Sequence, residues 1–372
     1  MKLLIVLAAA LVLPLSANPV AGEGSDLKAD PKAVFGSLDN GFNYIVYPNA
    51  EPPGQFSVRL HIAAGSLMEK DNQRGLAHFL EHMVFNGSKN FTPDELIPKM
   101  QRLGIAFGAH ANAYTSFDET VYMLDLPNLD KETVDLTFTV MRDFADGALL
   151  LKDEIDKERG VIISEKTSRD SVGYRMMLKQ FEYLLPGSRL MQRVPIGTEE
   201  VIKGAPRERF TEFYNDFYTP SRMTFVVVGD FKVEEMEKRV RETFISMTNP
   251  EKKGKNPPAD SPPSGHGFRT EVFTDKEISS DDLTLYNIRP HTPKIDTEAE
   301  RLSRYPLSLA HSILNRRFDV LSKEEGSPIL GGGANRSVLF NQIEQGGLTV
   351  SPAENKWKAA IPVMEQELRR AF

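Results

Sequence analysis

The sequence predicts an α+β fold in two domains, and three observations support this prediction. From residue 33 onward, short alternating strand patterns and longer helical patterns interleave along the chain. Asp39, Asn40 and Gly41 form a turn signal between two of the strand patterns, which indicates a β-hairpin. A proline-rich stretch over residues 249–265 has the composition of a linker. The chain has 372 residues, which is enough for two domains of ordinary size.

The first domain is expected over residues 30–248. Its strand patterns cover residues 34–38, 42–47, 56–63, 105–114, 119–126 and 223–228. Its helical patterns cover residues 75–86, 131–145, 152–168, 207–217 and 233–247. A further helix is expected to start at Thr92 and Pro93, because threonine is a favourable helix cap and proline is accepted in the first turn.

The second domain is expected over residues 266–372, which is about half the length of the first. Strands are predicted at residues 269–273 and 282–288, and a long helix at residues 302–321. The chain ends within a helical pattern at residues 354–372. Residues 331–333 are all glycine and are expected to form a flexible loop. His291 and His311 lack ligand spacing and are interpreted as structural or surface residues.

Residues 1–17 have the features of a secretory signal peptide. Lys2 supplies the positive start, an apolar run of 13 residues follows, and Ser16 and Ala17 are small enough for a cleavage site. An apolar run of this length is short for a membrane span. We therefore expect an exported chain, periplasmic or secreted from a bacterium, with no transmembrane anchor after cleavage. The sequence has no cysteine, so neither disulfides nor lipid attachment at cysteine are expected.

Composition and charge limit the function classes that fit this chain. Apolar residues make up 40% and charged residues 26%, which is typical of a globular protein. The net charge is −7, and no block of Lys and Arg stands out along the chain. Proteins that bind nucleic acid usually carry such a basic patch. A nucleic-acid partner is therefore not expected.

The sequence His78-Phe79-Leu80-Glu81-His82 is the strongest indication of function. On a helix, two histidines four residues apart share one face and can bind one metal ion. A glutamate directly before the second histidine lies close enough to act on a water molecule at that metal. His-x-x-Glu-His is the inverted form of the zinc-peptidase helix motif. The alternative is a buried helix with two structural histidines, because the neighbouring residues are apolar.

A catalytic zinc site needs a third protein ligand and leaves a fourth position for water. The candidates are Glu158 and Glu165, which lie seven residues apart in a helical pattern and so share one face. One of them could coordinate zinc, and the other could accept a hydrogen bond from a ligand histidine and so fix its tautomer. The alternative is a solvated acidic stripe, which is the more common role of glutamate on a helix.

Four blocks of the sequence, taken in order, resemble the pitrilysin and insulin-degrading-enzyme family of zinc metallopeptidases, which includes the mitochondrial processing peptidase. The blocks are residues 75–87, residues 110–115 with 120–122, residues 158–165, and residues 195–198 with 213–220 and 226–230. The resemblance implies two repeated α/β-sandwich-like domains, each a mostly antiparallel sheet packed by helices. It also implies that the second domain lacks the metal motif and is incomplete.

The resemblance implies a role for each candidate residue. It makes His78, His82 and Glu165 the ligands of about one zinc ion per chain, with Glu81 as general base and Glu158 hydrogen-bonded to a ligand histidine. The family's usual spacing from the second histidine would instead place the third ligand near Glu158. Extra residues in the intervening loops would account for this difference.

The resemblance further implies that an edge strand pairs with the backbone of the substrate. Its residues here would be Ala111, Asn112, Ala113 and Tyr114, although ordinary edge-strand packing would also explain them. The substrate would be a peptide or a small unfolded protein. The chain resembles the N-terminal half of a long bacterial member, so the C-terminal half of the same protein, or a homologous subunit, would close the chamber.

The sequence therefore predicts a zinc-dependent endopeptidase, and this chain without the closing half could be inactive. One alternative is a non-catalytic, exported peptide-binding or partner subunit of the same family. Such members usually lose the glutamate or a histidine of the motif, and here all three residues are present. A second alternative is a binding module with a structural zinc ion. A structural site would need a fourth protein ligand, and the sequence has no cysteine to supply one.

Overall fold

The computed structural model describes residues 24–251, 254–258, 267–340 and 342–371. The predicted signal peptide, residues 1–17, lies outside the described residues, and so does part of the predicted linker at 249–265. The described residues form two β-sheets and eleven α-helices. This architecture confirms the predicted α+β class with mostly antiparallel sheets packed by helices, whereas the exact domain boundaries remain predictions.

The first sheet has six strands in the order β1-β2-β6-β3-β5-β4. These strands are β1 (Val34–Ser37), β2 (Asn43–Pro48), β3 (Phe56–Ile62), β4 (Ala111–Thr115), β5 (Thr120–Leu126) and β6 (Met223–Gly229). Neighbouring strands are antiparallel except β2 and β6, which run parallel. Strand β4 lies at an edge of the sheet and pairs with β5 alone.

Nine helices accompany the first sheet. They are α1 (Leu76–Met83), α2 (Leu96–Arg102), α3 (Lys131–Asp146), α4 (Lys152–Ser168), α5 (Val172–Leu184), α6 (Arg189–Gln192), α7 (Glu199–Gly204), α8 (Arg207–Phe217) and α9 (Val233–Phe244). Helix α1 packs between α4, α8 and the edge strand β4. Helices α5, α6 and α7 were not predicted from the sequence.

One face of the first sheet carries the main core. Along β3, Phe56, Val58, Leu60 and Ile62 are buried, and the residues between them are partly exposed. Strand β6 shows the same alternation. This period of two places the apolar side chains on one face, where the helices cover them. The hydrophobic effect of that burial is what holds the metal-motif helix against the sheet.

The second sheet has three antiparallel strands in the order β7-β9-β8. The strands are β7 (Leu283–Pro290), β8 (Ile329–Leu339) and β9 (Ile343–Pro352), and the helices are α10 (Glu298–Leu321) and α11 (Trp357–Ala371). The predicted strand at 282–288 and both predicted helices correspond to these elements. His291 and His311 are half-buried and lie outside the metal-donor cluster found among the described residues.

Residues 331–333 are not the flexible loop that their composition predicts, because all three lie in β8. The reason is packing against α10. A Cβ atom on Gly332 would lie 2.9 Å from the ring of Phe318 and 3.1 Å from the carbonyl oxygen of Thr349. Glycine at this position lets the long helix approach the sheet backbone closely.

The predicted strand at 105–114 is wrong over its first half, because β4 begins only at Ala111. Gly104 and Gly108 have φ values of +79° and +85°, a left-handed conformation that interrupts an extended strand. The predicted strand at 269–273 is also wrong. Its residues have no strand partner, and Phe268 and Val272 beside and within it are exposed.

The helix predicted to start at Thr92 and Pro93 begins instead at Leu96. Asp94 has a φ of +67°, which is incompatible with a right-handed helix. The backbone N–H of Thr92 donates to the carboxylate of Glu95 at 3.1 Å. The threonine signal therefore belongs to a turn that precedes the helix.

Candidate metal centre and active site

Helix α1 carries the metal motif and is inserted into the core. Leu76, Phe79, Leu80 and Met83 are fully buried, so the opposite face of the helix is fixed towards a cavity. The helix begins after Gly75, whose φ of +101° requires glycine. A Cβ atom there would also lie 2.9 Å from the Cα atom of Gly197, where the fourth sequence block meets the helix.

The N-terminal end of α1 is held by a buried carboxylate that the sequence analysis missed. Glu69 has no solvent exposure, and its oxygens accept hydrogen bonds from the backbone N–H groups of Gly75 at 3.0 Å and Ala77 at 2.8 Å. These N–H groups have no partner inside the helix, so Glu69 satisfies them from outside. Glu69 precedes Gly75 by six residues, which is too far for the usual capping-box spacing to reveal it.

The two histidines of α1 and two glutamates of α4 meet at one point. The Nε2 atoms of His78 and His82 each lie 3.5 Å from Oε2 of Glu165. The Nδ1 atom of His82 lies 2.9 Å from Oε1 of Glu158. Asn86 donates from Nδ2 to the other oxygen of Glu158 at 3.0 Å. All four predicted metal-site residues are thus brought together by the packing of α1 on α4.

This arrangement fits a tetrahedral metal ion with one open position. One donor atom from each of His78, His82 and Glu165 lies within 4.8 Å of the other two, and this is the one such group found in the described part of the chain. Donors that bind one zinc ion at about 2.0–2.1 Å lie roughly 3.3 Å apart, close to the 3.5 Å between the Nε2 atoms and Oε2. Two nitrogens and one oxygen are also the donor types that zinc prefers.

The charges around the metal-donor cluster shift the pKa of His82 and of Glu165. Burial alone would lower the pKa of His82, but the hydrogen bond to Glu158 and the charges of Glu81, Glu158 and Glu165 outweigh it, so the pKa is raised. The hydrogen bond from His78, together with the charges of Arg169 and the histidines, lowers the pKa of Glu165 to about 2 against the effect of burial. The carboxylate of Glu165 is therefore charged at neutral pH.

Glu81 faces the same cavity as the histidines and is held by a threonine. The cavity has a volume of about 600 Å³. The hydroxyl of Thr115 donates to Oε2 of Glu81 at 2.5 Å, and the side chain of Glu81 is nearly buried. Thr115 was part of a matching sequence block, but its role was not predicted. A threonine that ends an edge strand gives no sequence signal for contact with a helix residue 34 positions earlier.

The predicted substrate strand β4 borders this cavity along an open edge. Asn112, Ala113 and Tyr114 line the cavity, and Ala111 is buried. The backbone N–H of Ala113 donates to the side chain of Asn112 at 2.8 Å. The ladder bonds from Asp125 to His110 and from Ser116 to Glu119 set which positions of β4 bond to β5. Bonded positions alternate in an antiparallel pair, so the N–H of Ala113 points away from β5, towards the free edge. Tyr114 is 42% exposed, and its hydroxyl donates to Glu119 at 2.9 Å.

A second, apolar pocket of about 250 Å³ lies beside the first, and Thr115 and Arg169 line both. Helix α5 contributes Leu178 and Phe181 to its lining. The end of the β8–β9 hairpin also lines this pocket, where Phe340 contacts Phe117 with ring centroids 4.2 Å apart. The second sheet thus supplies part of a pocket next to the metal-donor cluster.

Comparison with known proteins identifies the family. Residues 44–179 match the family described as Insulinase (Peptidase family M16), and residues 205–353 match the Peptidase M16 inactive domain. The chain belongs to the insulinase family. This membership confirms the resemblance drawn from the four sequence blocks.

Three relatives illustrate the match to the insulinase family. The probable zinc protease PqqL of Escherichia coli is 30% identical over 371 residues, which are 98% of this chain and 39% of the relative. The crystal structure of that periplasmic protease has a TM-score of 0.81 at 29% identity and covers 92% of this chain and 38% of its own. The stromal processing peptidase of Pisum sativum is 34% identical over 210 residues, 56% of this chain and 16% of the relative. The crystal structure of pitrilysin shares the fold, with a TM-score of 0.69 at 19% identity over 91% of this chain and 36% of that chain.

The chain spans 39% of the length of the E. coli relative and 24% of a second PqqL, from Haemophilus influenzae. Among the described residues, we find no helix that combines the length and apolar character needed to span a bilayer.

Proposed function

We propose that the protein is a zinc-dependent endopeptidase that hydrolyses peptides or small unfolded proteins. The observation that carries the proposal is the convergence of His78, His82 and Glu165 on one point, with Glu81 facing the same cavity. Three protein donors leave one position for water, as in catalytic rather than structural zinc sites.

In this proposal His78, His82 and Glu165 hold the zinc ion. When bound, zinc supplies a Lewis acid that acidifies water and polarises a peptide carbonyl. Glu158 accepts a hydrogen bond from Nδ1 of His82 at 2.9 Å, which leaves Nε2 free as the donor to the metal. The low pKa of Glu165 keeps its carboxylate in the ligating form.

Glu81 would act as general base and then as general acid. Its carboxylate would take a proton from the attacking water and pass that proton to the leaving amine. The hydrogen bond from Thr115 fixes one carboxylate oxygen, so the other oxygen is free to face the water. Near-complete burial of Glu81 keeps bulk water from competing for this proton.

The substrate would bind as an additional strand along the open edge of β4. A peptide carbonyl would replace the side chain of Asn112 as the acceptor for the N–H of Ala113. Backbone pairing of this kind accepts many sequences, so the substrate class would be extended peptides. The pocket lined by Leu178 and Phe340 would take an apolar side chain near the scissile bond.

The whole protein would include a further half that closes this chamber, because the chain spans less than half of the PqqL relatives. PqqL of E. coli is described as a periplasmic protease. We propose the same compartment for this protein, after removal of the signal peptide predicted at residues 1–17.

The test is cleavage of an unstructured peptide, followed by mass spectrometry, by the full-length mature protein, including the half that would close the chamber, with zinc and with a chelator. We expect cleavage with zinc only. Glu81→Gln should lower the rate by about 10²–10⁴-fold, whereas Glu199→Gln on an exposed helix surface should retain it. Saturable peptide binding by wild type without any cleavage would contradict the proposal and favour the peptide-binding subunit.

A further inference from the structure

Arg169 is the one cation that lines either cavity of the candidate site in the described part of the chain, histidines aside. It lies at the C-terminal end of α4, four residues after Glu165. Three carboxylates face the metal-donor cavity with it, those of Glu81, Glu158 and Glu165. A guanidinium that pairs with one oxygen of a carboxylate leaves the other oxygen free for a metal ion.

The two oxygens of Glu165 have different partners. Oε2 lies 3.5 Å from the Nε2 atoms of both His78 and His82, whereas Oε1 forms an ion pair with the guanidinium of Arg169. A carboxylate held at one oxygen cannot rotate about its terminal bond without breaking that pair. The free oxygen is thereby aimed at the point between the two imidazoles.

We propose that Arg169 is a positioning residue for the metal centre, which holds Glu165 in a one-oxygen ligating geometry. The inference rests on the proposed zinc site and adds a residue that the motif does not contain. Glu158 and Arg169 have parallel roles, because each binds the atom of a ligand side chain that does not face the metal. Glu158 binds Nδ1 of His82, and Arg169 binds Oε1 of Glu165. Two of the three ligands then have a dedicated partner, while Nδ1 of the third, His78, is buried with no partner among the described residues.

A structural role is the competing interpretation, because arginine at the end of a helix also interacts with the last carbonyl groups. The two roles differ in what they stabilise. The side chain of Arg169 is 48% exposed, and an exposed ion pair four residues apart contributes little to folding. A structural role would change the stability of the metal-free chain, whereas a positioning role would change zinc affinity.

The experiment measures the zinc affinity of the metal-free mature chain by competition with a chelator of known affinity, together with the metal-free melting temperature. Arg169→Gln is expected to weaken zinc binding by about tenfold or more and to leave the melting temperature unchanged. Arg169→Lys keeps the charge and should recover part of the affinity. The matched control is Arg369→Gln, which removes another exposed arginine that pairs with a glutamate four residues earlier.

Equal affinity in Arg169→Gln and Arg369→Gln would overturn the inference. A loss of zinc affinity in Arg169→Lys as large as that in Arg169→Gln would also overturn it. The same holds for a fall in the metal-free melting temperature that parallels the loss of zinc affinity. If wild type and Arg369→Gln themselves bind no zinc, the proposed function fails instead.

Discussion

Thr115 and Glu158 show how single partners determine what a reactive side chain can do. The hydroxyl of Thr115 occupies one oxygen of Glu81, and the carboxylate of Glu158 occupies Nδ1 of His82. In each case the other polar atom of the reactive group is left facing the cavity. Because these partners already fix the side chains of Glu81 and His82, the two side chains lose less orientational freedom when the reaction begins.

Thr115→Val removes the hydroxyl and keeps the shape of the side chain. We expect cleavage to fall by about tenfold, the value of one hydrogen bond to a charged group, with zinc content unchanged. Thr115→Ser keeps the hydroxyl and should retain most activity. Steady-state kinetics on one peptide, with zinc measured in the same samples, tests this. Full activity in Thr115→Val together with a loss in Thr115→Ser would indicate that packing of the Thr115 methyl group, and not the hydrogen bond, supports Glu81.

At the scale of elements, α1, α4 and β4 converge on the site, and the sequence predicts them unequally. The spacing of His78 and His82 is local, so helix periodicity alone places both on one face. Glu165 follows from a similar argument on α4 and from the family resemblance. Thr115 acts across elements, and no local pattern reveals such a contact. Arg169 pairs with Glu165 four residues earlier on the same helix, but this spacing is common on helix surfaces and does not by itself mark a residue of a metal site. The start of β4 was misplaced because glycine conformation interrupts an otherwise suitable strand pattern.

Glu69→Ala leaves the N–H groups of Gly75 and Ala77 buried without a partner. We expect the free energy of unfolding of the metal-free chain to fall by about 1–3 kcal/mol for an unsatisfied buried group, measured by urea denaturation. Glu69→Gln retains an acceptor oxygen and should cost less. The control, Glu199→Ala, removes an exposed glutamate from the first turn of α7 and should change little. Equal stability of Glu69→Ala and the control would contradict this account of how α1 is held.

Ala113→Pro removes the outward N–H of the edge strand. Proline is accepted at a strand edge where its N–H is not needed by the sheet, so the fold and zinc binding should be retained. We expect kcat/KM for an extended peptide to fall by about tenfold for one lost hydrogen bond. Ala113→Val, which keeps the N–H, controls for added bulk. If valine lowers kcat/KM as much as proline, the side-chain space and not backbone pairing limits substrate binding.

At the scale of the whole molecule, the second sheet contributes to the site as well as to the fold. Phe340 at the tip of the β8–β9 hairpin lines the apolar pocket and contacts Phe117 beyond the end of β4. Arg175 on α5 also pairs with Asp275 at 2.8 Å. This ion pair connects the segment before β7 to α5, the helix that lines the same pocket. Sequence analysis predicted two domains but could not predict this contact, because it depends on how the domains dock.

Phe340→Ala enlarges the apolar pocket without touching the metal-donor cluster. We expect the preference for bulky apolar side chains near the cleaved bond to weaken, while zinc affinity stays at the wild-type value. Cleavage of a mixed peptide library, read by mass spectrometry, measures the preference. Trp357→Ala is the control, since it removes an exposed aromatic side chain elsewhere in the second unit. An unchanged cleavage profile would exclude this pocket from substrate selection.

The most direct test of the account is the zinc content of the purified mature chain, measured by plasma mass spectrometry for wild type, Glu165→Gln and Glu158→Gln. The account predicts about one zinc ion per wild-type chain, its loss in Glu165→Gln, and its retention at excess zinc in Glu158→Gln, with affinity lowered by about 10–100-fold. Absence of zinc from the wild-type chain at neutral pH, with zinc supplied, would contradict the metal centre and with it the peptidase.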